Sequence, residues 1–250
     1  MLSIITTEKL AGVTISGNYS DLNTLYDALT NIVGDEGSYP DYDRCCLRIL
    51  GLCYEIRHAY QGDRNTFIDD YDETDYSFEY LWPEMVFVYG VLNDFIRLSG
   101  GNDCYLLQEK ADTYFFNPEV KRILLEHMPV DIAYIEYFRA LIRNAFKKTI
   151  DEKKYKRIFN ALDNGYSYTL YPQRFYDYCT QWIDIQNVKY LKRNPDKRKT
   201  YLATVAEKIL FRNTEYDYLY SDLMKYEKEL GIPYCNIELE GMQYPDKVEW

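Results

Sequence analysis

A mainly α fold of the α+β type, with many helices in one domain and a small antiparallel β element, is what this 250-residue sequence predicts. Three observations carry the expectation. Apolar residues recur at helical spacing through most of the chain, between Gly, Pro and Asn stops. Residues 2–16 and 236–240 have β-rich or extended character, and the tyrosine-rich connector 166–172 has the composition of a short strand. Hydrophobic residues make up 47% of the chain, too many for disorder, and no run approaches the roughly 20 apolar residues of a membrane helix.

In chain order, residues 2–6 and 13–16 read as short β runs joined by 7–12, a hairpin within 1–19. Ser20 and Asp21 are placed to cap a helix whose Leu22, Leu25, Tyr26, Leu29, Ile32 and Val33 share one stripe, with Gly34 as its stop. Residues 45–64, CCLRILGLCYEIRHAYQGDR, read as a central helix, apolar on nearly every side and ended at Gly62. Gly51 within it is unfavourable by about 1 kcal/mol relative to Ala, which predicts close approach of another backbone as compensation. Residues 69–79 hold six acids in eleven positions and are excluded from the core. Pro83 opens a strongly apolar helix that ends at Gly100 and Gly101.

Further helices are expected at 103–116, 118–128, 131–148 and 151–163, then at 172–193, 196–212 and 215–230. Residues 166–172, YSYTLYP, form a tyrosine-rich connector, and 236–240 offers a further strand to pair with the hairpin. The simplest organisation is a single domain over 1–250: a hairpin at 1–19, about nine helices in 20–230 and an extended tail at 231–250.

Charge divides the chain into three blocks. Residues 1–142 carry 10 Lys and Arg against 24 Asp and Glu, 143–212 carry 16 against 7, and 213–250 carry 3 against 9. Their net charges are therefore −14, +9 and −6. Tyrosine is abundant, 28 residues against 11 Phe and 3 Trp, and a ring that also wants its hydroxyl bonded or wet suits boundary layers and interfaces. None of the six cysteines lies in a C-x-x-C pair, so reduced core thiols are expected. The start, MLSIITTEKLAG, lacks the basic and long apolar regions of a signal peptide, which points to the cytoplasm and away from membranes.

Motifs exclude more than they suggest. Glu55 and His58 form one E-x-x-H pair, but a carboxylate-bridged di-metal site needs a second. The other histidine, His127, has Leu124 three residues before it. A zinc site from Cys45, Cys46, Cys53 and His58 fails because adjacent cysteines point about 100° apart on a helix. There is no G-x-S-x-G elbow, no phosphate-binding glycine loop and no EF-hand. No metal and no cofactor is expected.

Two groups remain. Glu55, Arg57, His58, Asp63 and Arg64 are the candidate polar pocket, with His58 as acid or base and the arginines holding an anion. The bland alternative, and the favoured one, is a helix end whose Arg and His answer terminal carbonyls while Asp63 pairs with Arg57 or Arg64. The basic segment 143–212 interleaves clusters such as Lys153, Lys154, Lys156 and Arg157, and Lys197, Arg198 and Lys199, with tyrosines including Tyr155, Tyr190 and Tyr201. Such a pattern can bind a nucleic-acid strand, but an overall pI near 4.8 argues against it.

The run ISGNYSDLNTLYDAL, then GDEG, then LCYEIRHAYQGDR, with the closing YPDKVEW, resembles an uncharacterised family of bacterial cytoplasmic proteins, a domain of unknown function. The resemblance implies no activity, cofactor or catalytic residue. The expected function is therefore a non-catalytic intracellular interaction protein. Its Tyr-rich and acidic surfaces would bind an unidentified protein partner or a second copy. The alternatives are an enzyme or small-ligand binder near His58 and, more weakly, nucleic-acid binding through 143–212.

Overall fold

The computed structural model describes residues 1–68, 73–99, 118–164 and 173–250. Strands β1 (Ser3–Thr6) and β2 (Gly12–Asn18) form the hairpin, followed by α1 (Tyr19–Val33). A 3-10 turn at Pro40–Tyr42 leads into α2 (Asp43–His58), which continues as a π turn over Ala59–Asp63. Then come β3 (Asn65–Ile68), β4 (Thr74–Leu81) and α3 (Trp82–Leu98). The remaining helices are α4 (Pro118–Thr149), α5 (Glu152–Asn164), α6 (Gln181–Leu191), α7 (Pro195–Leu210) and α8 (Thr214–Leu230). A 3-10 turn at Tyr234–Asn236 precedes an irregular tail. The fold is mainly α with a small antiparallel sheet, as expected.

The sheet differs in its parts. Its order is β1-β2-β4-β3, with β3 and β4 antiparallel from Asn65↔Ser77 to Ile68↔Thr74. The tail adds no strand. The second half of the acidic segment supplies one instead, because Tyr76, Phe78 and Tyr80 alternate with polar residues and Phe78 is buried. The helix expected at 103–116 lies outside the described residues.

The chain forms two compact units. The first comprises Met1–Ser3, Ile15–Phe78 and Val91–Ile142, the second Ile4–Thr14, Glu79–Gly90 and Arg143–Trp250. In the first unit, α1 is capped by Asn18 and Asp21, which bond each other's backbone N–H in a capping box, so Asp21 caps as expected while the N-cap itself lies two residues before Ser20. It packs Leu22, Leu25, Leu29 and Ile32 on α2, whose Cys45, Cys46, Ile49, Leu52, Cys53 and Ile56 are buried. The other side of α2 is open: Arg48, Glu55, Arg57 and His58 are half-buried and Gly51 is exposed. A Cβ at Gly51 would meet nothing within 4 Å. The expected backbone neighbour is absent among the described residues, and α2 is amphipathic.

In the second unit, α6 is the most enclosed helix, with Gln181, Trp182, Ile183, Gln186, Asn187, Val188, Tyr190 and Leu191 buried. The first turns of α3 contribute Trp82, Met85 and Phe87 to this core, and Phe87 meets the rings of Phe175 and Tyr178. Gly12 allows close backbone approach, since a Cβ there would lie 2.0 Å from the Tyr80 carbonyl oxygen. The helix expected from 172 begins only at Gln181. Asp177 sits in the left-handed region at φ 51, and its carboxylate accepts hydrogen bonds from the Tyr220 and Tyr234 hydroxyls. These bonds hold 173–180 out of a helix.

Candidate functional site

The five residues singled out near His58 lie together in the first unit. Gly62, at φ 88, turns the chain back at the end of the π turn. That turn brings Asp63 Oδ2 to 2.7 Å from His58 Nδ1. Arg64 then reaches Glu55, its Nε donating to Oε2 at 2.9 Å and its Nη2 to Oε1 at 3.2 Å, a bidentate pair. The expected pairing of Asp63 with Arg57 or Arg64 is thus replaced. Arg57 instead lies over the Tyr54 ring at 5.6 Å, and that ring packs on His58 at 4.2 Å. The cluster is a surface one: 23% of the His58 side chain and 56% of Asp63 is exposed. Each of the five is held by a neighbour no more than nine residues away.

The basic segment belongs to the second unit, and much of it is engaged there. Arg157 pairs with Glu207, Lys189 and Lys208 with Glu215, Arg212 with Asp217 and Arg143 with Asp163. Arg198 is 5% exposed and is a structural clamp. Its Nη1 donates to the carbonyls of Lys9 at 2.8 Å and Glu249 at 3.2 Å, and its Nη2 to that of Leu191 at 3.1 Å, at the end of α6. Beside it, the buried Tyr190 hydroxyl donates to Leu10 O at 2.6 Å. Leu10 is a non-glycine residue at φ 59, and this bond helps to hold the strained turn of the hairpin.

The tail is clasped to the second unit by side chains. Gln181 Nε2 donates to Tyr234 O at 2.8 Å and Ile237 O at 3.2 Å. The Tyr244 hydroxyl lies 3.2 Å from Asn187 Nδ2, which donates to it, and 3.3 Å from Asp184 Oδ1. Between the start of α6 and the tail lies a cavity of about 480 Å³, lined by residues including Gln181, Asp184, Glu238, Leu239, Met242 and Tyr244. Cys235 also lines it and is the one described cysteine that is not buried. Nothing in the spacing of 231–250 signals this cavity, because side-chain bonds to tail carbonyls leave no periodic trace.

Helix α8 shows the opposite character. Its buried residues are Tyr216 and Leu223, whereas Tyr218 is 70% exposed, Tyr226 50% and Leu230 59%. Ile232, just beyond, is 45% exposed. Asp222 and Glu229 lie on the same exposed stripe.

Burial pushes the Cys46 thiol up to about 11 and those of Cys53 and Cys179 to about 12, so these are packing groups and not nucleophiles. Among the described residues no cluster of three or more His, Cys, Asp or Glu side chains is arranged to hold a metal ion. No described helix is long and apolar enough to cross a membrane. A family model described as a domain of unknown function (DUF6904) matches residues 2–250. No curated protein and no solved structure matches the chain.

Proposed function

The chain belongs to the DUF6904 family, a domain of unknown function, and from its own surfaces we propose that it is a non-catalytic interaction protein whose contact surface is the exposed face of α8. The observation that supports this is the grouping of Tyr218, Tyr226 and Leu230 on α8 with Ile232 just beyond its end, all exposed, within 15 residues. Apolar residues scattered singly over a surface are ordinary, but several large ones on one helix face, interleaved with charge, are characteristic of a protein contact. Tyrosine suits such a contact, since it contributes large area with few rotatable bonds. Asp222 and Glu229 on the stripe, and the net charge of −6 over 213–250, favour an occupant that presents basic groups around an apolar centre. Lys225, beside Asp222, also suits an antiparallel second copy in which each Asp222 meets the other Lys225.

We extend the reading to the cytoplasm of a bacterium. Cys45, Cys46, Cys53 and Cys179 are buried and form no disulfide, as a reducing compartment keeps them. Support for catalysis near His58 is thinner, because the charged groups there are already bonded to one another.

The test is a photo-crosslinking amino acid placed at Tyr218, at Tyr226 or, as control, at the exposed Lys199, irradiated in the host cell. The expected result is one adduct mass shared by positions 218 and 226, absent at 199 and lost when the other tyrosine is changed to glutamate. An adduct of twice the chain mass identifies a second copy, and any other mass a different protein. No position-specific adduct, together with a monomer in sedimentation, overturns the proposal.

A further inference from the structure

We infer that the tail, residues 231–250, is an exchangeable arm. In the monomer it docks on its own second unit, and in a tail-swapped dimer it docks on the same surface of a second copy. The docking is polar. Every residue of 231–250 is half-buried or exposed, so no tail side chain is sunk in the core as an anchor. The bonds that hold the tail come largely from the other side. Gln181, buried at the start of α6, donates to Tyr234 O at 2.8 Å and Ile237 O at 3.2 Å. Arg198, buried in α7, donates to Glu249 O at 3.2 Å, and Lys9 N–H donates to Trp250 O at 3.0 Å. In the other direction, the Tyr234 hydroxyl donates to the Asp177 carboxylate.

A segment held by hydrogen bonds, with little apolar burial, opens at lower cost than the fold beneath it. The cavity of about 480 Å³ between the tail and the start of α6 removes further packing contacts there. When the tail lifts, the donors of Gln181 and Arg198 lose carbonyls, and buried donors are normally matched. A second copy of the tail brings the same carbonyls in the same order, with the Tyr234 hydroxyl for Asp177. The cis contacts therefore define the occupant.

The hinge favours exchange. Helix α8 ends at Leu230, and Gly231 caps it in the left-handed region at φ 66, its N–H donating to Glu227 O at 2.9 Å. Tyr234 is already docked: its N–H donates to Glu227 Oε2 at 3.2 Å and its ring meets that of Tyr220. The chain thus turns back on α8 within Gly231, Ile232 and Pro233. Such short hinges promote swapping, because the dimer keeps every tail contact and lets the chain run on past the hinge. Exchange requires no contact between α8 faces, so it goes beyond the surface proposed above and stands or falls separately.

The experiment mixes unlabelled and heavy-isotope full chain at about 1 mM, the effective concentration of a closely tethered segment. Both carry a photo-crosslinking amino acid at Glu238, which lines the cavity beside α6. Adducts of the tail with α6 are read by mass spectrometry in the monomer and dimer fractions. A swapped dimer gives adducts that join a light tail to a heavy α6 and the reverse, whereas α8 pairing gives only same-isotope adducts. Gly231→Val penalises the left-handed reversal by roughly tenfold per hinge. It should raise the dimerisation constant by about a hundredfold for two hinges, while Gly231→Asn, which tolerates that conformation, stays near the parent. Gln181→Ala removes the same bonds from monomer and dimer, so it should leave the constant unchanged and speed the approach to equilibrium. A Gly231→Val chain that remains monomeric at about 1 mM, or whose dimer yields only same-isotope tail adducts, overturns the inference. Gly231→Ala, with a smaller expected rise, applies the same criterion should Gly231→Val fail to fold.

Discussion

Replacing Gly51 by alanine should stabilise the protein, and replacing Gly12 by alanine should damage it, although both add the same single carbon. Gly51 lies within the 16-residue α2, is exposed, and has no atom within 4 Å of where a Cβ would stand. Nothing must move to admit the methyl group. The gain is then the helix-propensity difference, about 0.8–1 kcal/mol, much of it from the reduced freedom of the unfolded chain. For a chain of this length that corresponds to a rise of roughly 2–4 °C in the thermal midpoint. At Gly12 the added Cβ would lie 2.0 Å from Tyr80 O, 2.7 Å from Tyr80 C and 3.0 Å from Leu81 Cα, all backbone atoms of β4. The strands must part to admit it, at a loss of about 1–3 kcal/mol or more. Urea titrations followed by circular dichroism, alongside thermal melts, read both. A Gly51→Ala variant that is less stable than the parent refutes the reasoning, because it means that this face of α2 is covered.

Three further outcomes follow from the second unit and the buried thiols. Arg198→Ala should destabilise by roughly 3–5 kcal/mol, since it leaves three backbone carbonyls without their charged donor. Denaturant titration checks this, and a loss below about 1 kcal/mol would mean the clamp is replaced by water. Gln186 is 0% exposed and, among the described residues, neither its Nε2 nor its Oε1 has a partner, so Gln186→Leu should be neutral or stabilising by about 1 kcal/mol. A clear destabilisation would reveal an internal water bound to the amide. Burial pushes the thiols of Cys46, Cys53 and Cys179 up to about 11, 12 and 12 from an ordinary 9.0. The unfolded chain therefore releases these protons first, and their contribution is complete below pH 9 and falls away as pH rises towards 11 to 12. Alanine at each should flatten the alkaline decline in stability, and in a Cys104→Ser background a thiol reagent should label Cys235 well before the others.

Helices are legible in this sequence where an apolar stripe and a stop signal coincide. The Leu22–Leu25–Leu29–Ile32 row ended by Gly34 is visible in both sequence and structure. Legibility fails where the decisive bond is made by a distant side chain. Residues 173–180 carry helical spacing, yet Tyr220 and Tyr234 bond Asp177 from more than 40 positions away. The reverse error occurs at Pro129, which predicts a break between 118–128 and 131–148. Pro129 is exposed and α4 runs through it as one helix, because water can satisfy the carbonyl that loses its amide partner. In the acidic stretch at 69–79, charge density hides the alternation of Tyr76, Phe78 and Tyr80 that makes β4.

Charge is the feature whose meaning changes most between sequence and structure. The block from 143 to 212 has a net charge of +9, which in sequence offers strand binding as the weakest of the alternatives. Yet Arg157, Lys189, Lys208 and Arg212 face acids of the same unit, and Arg198 is buried among carbonyls. Glu207, Glu215 and Asp217 are taken up in this way by the block's own cations. Asp222 and Glu229 on the exposed face of α8, and Glu238 at the cavity, lie outside those pairs, apart from the 3.9 Å contact of Glu229 with Lys225. A charge pattern in sequence counts what a chain carries, whereas recognition depends on what folding leaves uncompensated. On the exposed face of α8 that remainder includes Asp222 beside Tyr218 and Tyr226, and the contact proposed there favours a partner that brings positive charge.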